Sequence, residues 1–191
     1  MRFSQCLCAA MALLLFGVSF AGAAGKPAPA SALTVWNGRT SDPAAGWGAP
    51  DGTTMSAAPK KGHAGATAAL ITSHAVGTWF SAGWRLVPYG SHTGYSIVGY
   101  KTLTFWMRET GGNKPDVWVW LRSGPVDGTR VRVAAHQPRA ANGQWNKVSV
   151  PLSAITFGAK DFNPKTVQEI DFGGGKPTGI AVYVDDIGFA K

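Results

Sequence analysis

The sequence predicts an all-β domain, a jelly-roll β-sandwich of two antiparallel sheets. Apolar runs are short and evenly spaced, giving strand-length segments from Leu33 to Phe189. Turn formers separate them, with 25 glycines and 12 prolines in 191 residues. No window repeats its apolar residues at the helical period. Regularly spaced short strands divided by turn residues are what sandwiches and jelly rolls require.

The chain opens on a different kind of segment. Arg2 is followed by the apolar run AAMALLLFGVSF and then by the small residues AGAAG. That order reads as a secretory signal peptide over residues 1–23. The run is shorter than the roughly 20 residues that span a bilayer, so cleavage rather than anchoring is expected. No later segment is apolar enough to span, which points to an exported protein, periplasmic or extracellular. Cys6 and Cys8 both fall in this segment. The mature chain is therefore expected to lack disulfides, thiol nucleophiles and cysteine metal sites. A hydrophobic content of 45% can supply a core in their place. Residues 24–32 are rich in proline and alanine and read as a flexible leader, and residues 33–191 as a single domain.

Strands are expected at 33–37, 53–57, 68–72, 77–87, 101–108, 116–122, 129–135, 145–151, 167–172 and 179–189. Asp127-Gly128 lies between two alternating runs and reads as a hairpin centre. Asn142-Gly143 reads as a second tight turn.

The formal charge of +8 suits acidic partners. The cations are scattered, however, with no run longer than Lys60-Lys61 and no nucleic-acid module. Nucleic acid is therefore not an expected partner; a polysaccharide or glycan is, an acidic one included.

The candidate binding residues come from alternation. In DVWVWLRSG, Val117, Val119 and Leu121 share one side, and Trp118, Trp120 and Arg122 the other. KTLTFWMR sets Leu103, Phe105 and Met107 against Trp106 and Arg108. TRVRVAAH sets Val131 and Val133 against Arg130 and Arg132, with His136 just beyond. If the three strands are neighbours in one sheet, its outer face carries Trp106, Arg108, Trp118, Trp120, Arg122, Arg130 and Arg132, with His136 at its margin. Indole stacks on the C–H face of a sugar, and guanidinium donates fixed hydrogen bonds to hydroxyls or carboxylates. Trp118 and Trp120 have Cα atoms roughly 6.5–7 Å apart, comparable to the step between sugar units. The same arginines can also stack on the indoles simply to cover them. The face therefore reads either as an open platform or as a covered structural surface. Trp145 reads as core or sheet edge, and alternation alone does not orient Trp36, Trp47, Trp79 or Trp84.

Three stretches carry a family resemblance: YKTLTFWMR, GQWNKVSVPLSAI and VYVDDIGF, with VWNG and GWG near the start. Together they resemble galactose-binding-like β-sandwich domains and, within them, exported carbohydrate-binding modules. The resemblance covers most of 33–191. It implies a non-catalytic sugar binder, although related domains only mediate packing. It also implies a structural calcium ion held by Asp185 or Asp186 with Asn37 or Asp42, hard oxygen ligands of the kind calcium prefers.

An enzyme is not expected. Glycosidases need paired carboxylates, and the chain has two glutamates, Glu109 and Glu169. Glu169 shares a face with Asp171, a like-charge pair that raises one pKa, but such a pair reads as solvated strand surface. His63, His74, His92 and His136 show no zinc spacing, and G-x-S-x-G is absent. The alternatives to sugar binding are a structural or protein-docking sandwich of the cell envelope and a polysaccharide lyase built on His136, a tyrosine and the arginines.

Overall fold

Period-two alternation gives each strand one apolar side, and those sides can leave water only if two sheets close over them. The computed structural model does this; it describes residues 32–36, 46–48, 53–65, 67–73, 79–87, 93–110, 116–137, 143–175 and 180–191. The expected signal peptide and most of the expected leader lie outside the described residues.

Sheet I contains β3 (Thr53–Ala58), β4 (Ala68–Ser73), β6 (Thr102–Glu109), β10 (Asn146–Pro151) and β12 (Ile180–Ala190), in the order β10-β6-β12-β4-β3. A further strand, β1 (Ala32–Trp36), pairs with the second half of β12. Sheet II contains β2 (Gly46–Gly48), β5 (Trp79–Arg85), β7 (Asp116–Ser123), β8 (Val126–Asp127) and β11 (Glu169–Gly175), in the order β2-β5-β11-β7-β8. The short strand β9 (Val131–Arg132) pairs with the first half of β7. Every pairing between these strands is antiparallel. One short helix, α1 (Leu152–Thr156), follows β10 and buries Leu152 and Ile155.

The core is the set that alternation picks out. Leu103, Phe105 and Met107 of β6 face Val117, Val119 and Leu121 of β7, all buried. Phe80, Ala82 and Trp84 share the inner side of β5. A chain of rings joins the sheets. Phe172 of β11 meets Phe105 edge to face at 5.1 Å and Trp84 at 5.7 Å, and Trp84 reaches Trp36 of β1 at 5.8 Å. These separations and tilts suit the aromatic quadrupole.

Local departures have local reasons. The hairpin between β7 and β8 turns at Gly124-Pro125 and not at Asp127-Gly128, because Ser123 pairs with Val126 and Arg122 with Asp127. Gly124 has φ of 61°, which glycine adopts freely. The expected strand 129–135 is divided: β9 keeps Val131 and Arg132, while Val133–Ala135 wind into a 3-10 turn that buries Val133. Asn142 of the second expected turn lies outside the described residues.

Phe172→Ala is expected to cost about 3–5 kcal/mol, because the ring bridges both sheets and the lost volume leaves a cavity; denaturant unfolding monitored by circular dichroism measures it.

Candidate functional site

The strands bearing the candidate tryptophans divide between the two sheets. Trp106 and Arg108 lie on β6 in sheet I, whereas Trp118, Trp120 and Arg122 lie on β7 in sheet II, flanked by β9 with Arg132. The expected single Trp/Arg face is therefore two faces on opposite sides of the sandwich. β6 and β7 follow each other in sequence but cross from one sheet to the other, so their matching alternation points their indoles in opposite directions.

The outer face of sheet I is covered by its own chain. Register places Trp106 opposite Asp185 and Arg108 opposite Tyr183. The segment after β3 folds back over this row. The His63 imidazole lies flat on the Trp106 indole, centroids 3.5 Å apart and planes inclined by 13°. The His63 backbone N–H donates to Asp185 Oδ2 at 2.8 Å, and the Asp186 N–H donates to Asp185 Oδ1 at 2.8 Å. Arg108 packs its guanidinium 4.7 Å from the Tyr183 ring and 5.0 Å from that of Trp145, which stands at the sheet edge. Trp106 and Arg108, both half-buried, thus belong to a latch on sheet I and do not join the β7 indoles.

The same latch bears on the aspartate pair. Asp186 sits in a β-bulge with φ of 48°, where the register between β12 and β6 shifts. Both Asp185 oxygens face backbone N–H groups, and burial raises its pKa against these two bonds. Asp186 is the more open carboxylate, 3.9 Å from His63 Nδ1. Among the described residues, no group of three or more His, Cys, Asp or Glu side chains gathers to hold a metal. Asn37 and Asp42 lie outside the described residues.

The outer face of sheet II is built differently. The inner residues of β5 are Phe80, Ala82 and Trp84, so Trp79, Ser81, Gly83 and Arg85 point outward. On β11, Glu169, Asp171, Gly173 and Gly175 oppose Arg85, Gly83, Ser81 and Trp79 on one side, and Arg122, Trp120, Trp118 and Asp116 on the other. Indoles and ionic groups from both flanks meet over a strand whose outer residues are glycines and acids. The ions form a ladder. Arg85 Nε lies 3.2 Å from Glu169 Oε1, Arg122 Nη1 donates to Glu169 Oε2 at 3.1 Å, and Arg122 Nε donates to Asp127 Oδ1 at 2.8 Å. Arg122 is therefore a strut between strands. Arg132 donates to both oxygens of Asp116, at 3.0 and 2.7 Å, beneath which its guanidinium lies 5.6 Å from the Trp118 ring. Arg130 stacks on two indoles, 5.1 Å from the Trp79 ring and 4.9 Å from that of Trp120.

Exposure differs sharply along this face. Trp118 and Trp79 are half-buried. Trp120, expected to be open, is 2% exposed. Its ring lies down over β11, so close to Gly173 that a Cβ there would stand 2.9 Å from it, and Trp79 and Arg130 close over the top. Trp120 is nevertheless outside the core between the sheets. His136 follows the 3-10 turn, its backbone N–H donating to Val133 O, and no described contact joins its ring to the indoles.

Glu169 and Asp171 are not solvated surface. Asp171 is fully buried, and neither of its oxygens has a hydrogen-bond partner among the described residues. It occupies the space that Gly83 leaves by having no side chain. Burial pushes its pKa up to about 7, partly countered by Arg122 and reinforced by Glu169.

Residues 40–191 match the family model of carbohydrate binding domain 30. The chain belongs to that family. The matched region is accordingly a non-catalytic carbohydrate-binding domain, and of the readings left open by sequence it is this one that stands. Similar solved structures agree on the fold. A family 30 carbohydrate-binding module of a cellulosomal cellulase of Clostridium thermocellum superposes with a TM-score of 0.65 at 15% identity, covering 84% of this chain and 97% of that one. A family 11 module from the same organism, solved in complex with a β-1,3-1,4-mixed-linked tetrasaccharide, gives 0.57 at 12% identity, covering 83% and 95%. No curated protein matches the chain.

Sequence reasoning did not place Trp79 on this face, nor Asp116, Asp127 and Arg85 in its ionic frame. For Trp79 and Arg85 a signal existed: Ser81 and Gly83 mark the outward positions of β5, and both residues share their parity.

Asp171 gives this carbohydrate-binding domain a measurable pH signature. Its folded pKa lies above its unfolded value. Between about pH 4 and pH 7 the folded chain keeps a proton that the unfolded chain has released, so stability falls as pH rises through that window. Three pKa units set the upper scale at about 4 kcal/mol. Asp171→Asn is expected to melt above wild type at pH 8, with the gap closing by pH 4, in paired thermal scans.

Proposed function

We propose that the domain binds a neutral polysaccharide across the outer face of sheet II, with Trp118 and Trp79 stacking on sugar rings and Arg132 donating to hydroxyls. The observation that carries this reading is the convergence of three indoles and two stacked guanidinium groups over the glycine-bearing half of β11. Indole faces suit sugar C–H groups, and the absent side chain at Gly173 lets the Trp120 ring lie flat beneath the neighbouring indole of Trp79.

Neutral glycan is favoured over acidic glycan by the charge balance. Arg85, Arg122, Arg130 and Arg132 share the face with Asp116, Asp127, Glu169 and Asp171, and most are already paired at hydrogen-bond distance. Internally neutralised guanidinium groups keep their N–H donors but project little net field for an anionic chain. We also read the chain as non-enzymatic: Glu109 is buried, Glu169 is held by two arginines, and Asp171 is out of contact with solvent. Action outside the cytoplasm is supported by the signal-like start, and no helix among the described residues is long and apolar enough to cross a membrane. Calcium at the start of the sandwich is a further proposal, resting on Asp186 and on Asn37 and Asp42. On that proposal, chelator lowers the melting temperature of wild type but not of Asp186→Ala, and identical wild-type curves with and without chelator exclude a stabilising ion.

The face assignment is tested by a matched pair. Trp118→Ala is expected to weaken binding to mixed-linkage β-glucan by about tenfold, the equivalent of one stacking contact worth about 1.4 kcal/mol. Trp106→Ala is expected to lower the melting temperature and leave affinity unchanged. Calorimetry on both decides; the reverse pattern moves the site to sheet I.

A further inference from the structure

Resting on that reading of sheet II, we infer that the Arg130 guanidinium occupies a sugar subsite in the free protein, floored by Trp120 and walled by Trp79, which a glycan ring enters by displacing it.

Three observations carry this. The first is position. A guanidinium about 5 Å from two indole centroids fills the stacking position a pyranose ring would take, and these indoles lie 6.5 Å apart. Trp120 is closed from water although it lies on the outer side of its sheet.

The second is how Arg130 is held. Among the described residues it pairs with Asp127 Oδ2 at 3.7 Å, while the same carboxylate gives its other oxygen to Arg122 at 2.8 Å. Arg130 is 47% exposed. Arg132, by contrast, is fixed by two short bonds to Asp116. A long, exposed ion pair contributes little to stability, and Arg130 can leave its indoles at small cost.

The third is what lies beneath. Among the described residues, the Trp120 indole N–H is buried without an acceptor, and both oxygens of Asp171, its register partner on β11, are buried without a donor. Buried polar groups are nearly always paired, and an unpaired one is costly. A donor on β7 and acceptors on the neighbouring strand, left unmatched near a loosely held cap, are the complement of sugar hydroxyls, which both accept and donate. The expected occupant is a neutral pyranose unit of the same polysaccharide that stacks on Trp118.

The test uses a mixed-linkage β-glucan tetrasaccharide and titration calorimetry on wild type, Arg130→Ala, Arg130→Gln, Arg130→Ala/Trp120→Phe and Trp118→Ala. Removing the cap is expected to tighten binding about three- to tenfold in both single Arg130 variants, the scale of one cation–π contact. Replacing the indole N–H in the double variant is expected to abolish that gain. Acrylamide quenching of tryptophan fluorescence, measured without sugar, is expected to rise in Arg130→Ala. Weaker or unchanged binding in the Arg130 variants, or unchanged quenching, overturns the inference while leaving sheet II as the site. If Trp118→Ala binds like wild type, or no variant binds, the face assignment falls and this subsite with it.

Discussion

The arrangement of sheet II depends on one steric constraint along β11. Its outer positions must be small or acidic, because the side chains of β5 and β7 lie across it from both sides. A Cβ on Gly173 would stand 2.9 Å from the Trp120 ring and 2.5 Å from the Phe80 carbonyl, and one on Gly83 would run into the Asp171 carboxylate. Glu169, at the other end of the row, ties β5 to β7 through Arg85 and Arg122. The strand thus acts as a narrow floor on which larger groups converge, pinned at one end by ion pairs and covered by indoles at the glycine end. Salt screening weakens exposed pairs, but Glu169 is 9% exposed and its two bonds are correspondingly protected.

Two outer faces with similar composition have different fates. On sheet I the indole at 106 is stacked by an imidazole from the chain itself, and the backbone N–H of that histidine is secured by a buried aspartate. On sheet II the covering groups are guanidinium tips on long side chains. A ring anchored through its own backbone is hard to remove; a stem with several rotatable bonds is not. This difference, and not the number of tryptophans, distinguishes the two aromatic clusters.

Much of the fold was legible because alternation is local. Leu103, Phe105 and Met107, like Val117, Val119 and Leu121, could be assigned to the core from spacing alone. The Asp185-Asp186 bulge shows the same logic in reverse: buried Val182 and Val184 are followed by buried Ile187 and Phe189, a spacing of three that one extra residue explains. Long-range pairing was not legible. Nothing within KTLTFWMR or DVWVWLRSG says that the first pairs with β10 and β12 and the second with β11 and β9. Nor does alternation reveal that Trp120 lies flat, since that depends on glycines some fifty residues away in sequence. The two-residue turn at Gly124-Pro125 was missed because Asp127-Gly128 carries the stronger hairpin signature.

The segment that closes sheet I has an architectural consequence. On the proposed reading of sheet II, the domain with His63 in place presents one adhesive side. A relative in which the residues after β3 were shortened would bare the indole on the opposite side as well, and a single small domain would then grip two strands of a polymer at once. Tethering of that kind multiplies effective concentration, turning a surface anchor into a cross-linker of its own substrate. A lid of a few residues is enough to keep those two material behaviours apart.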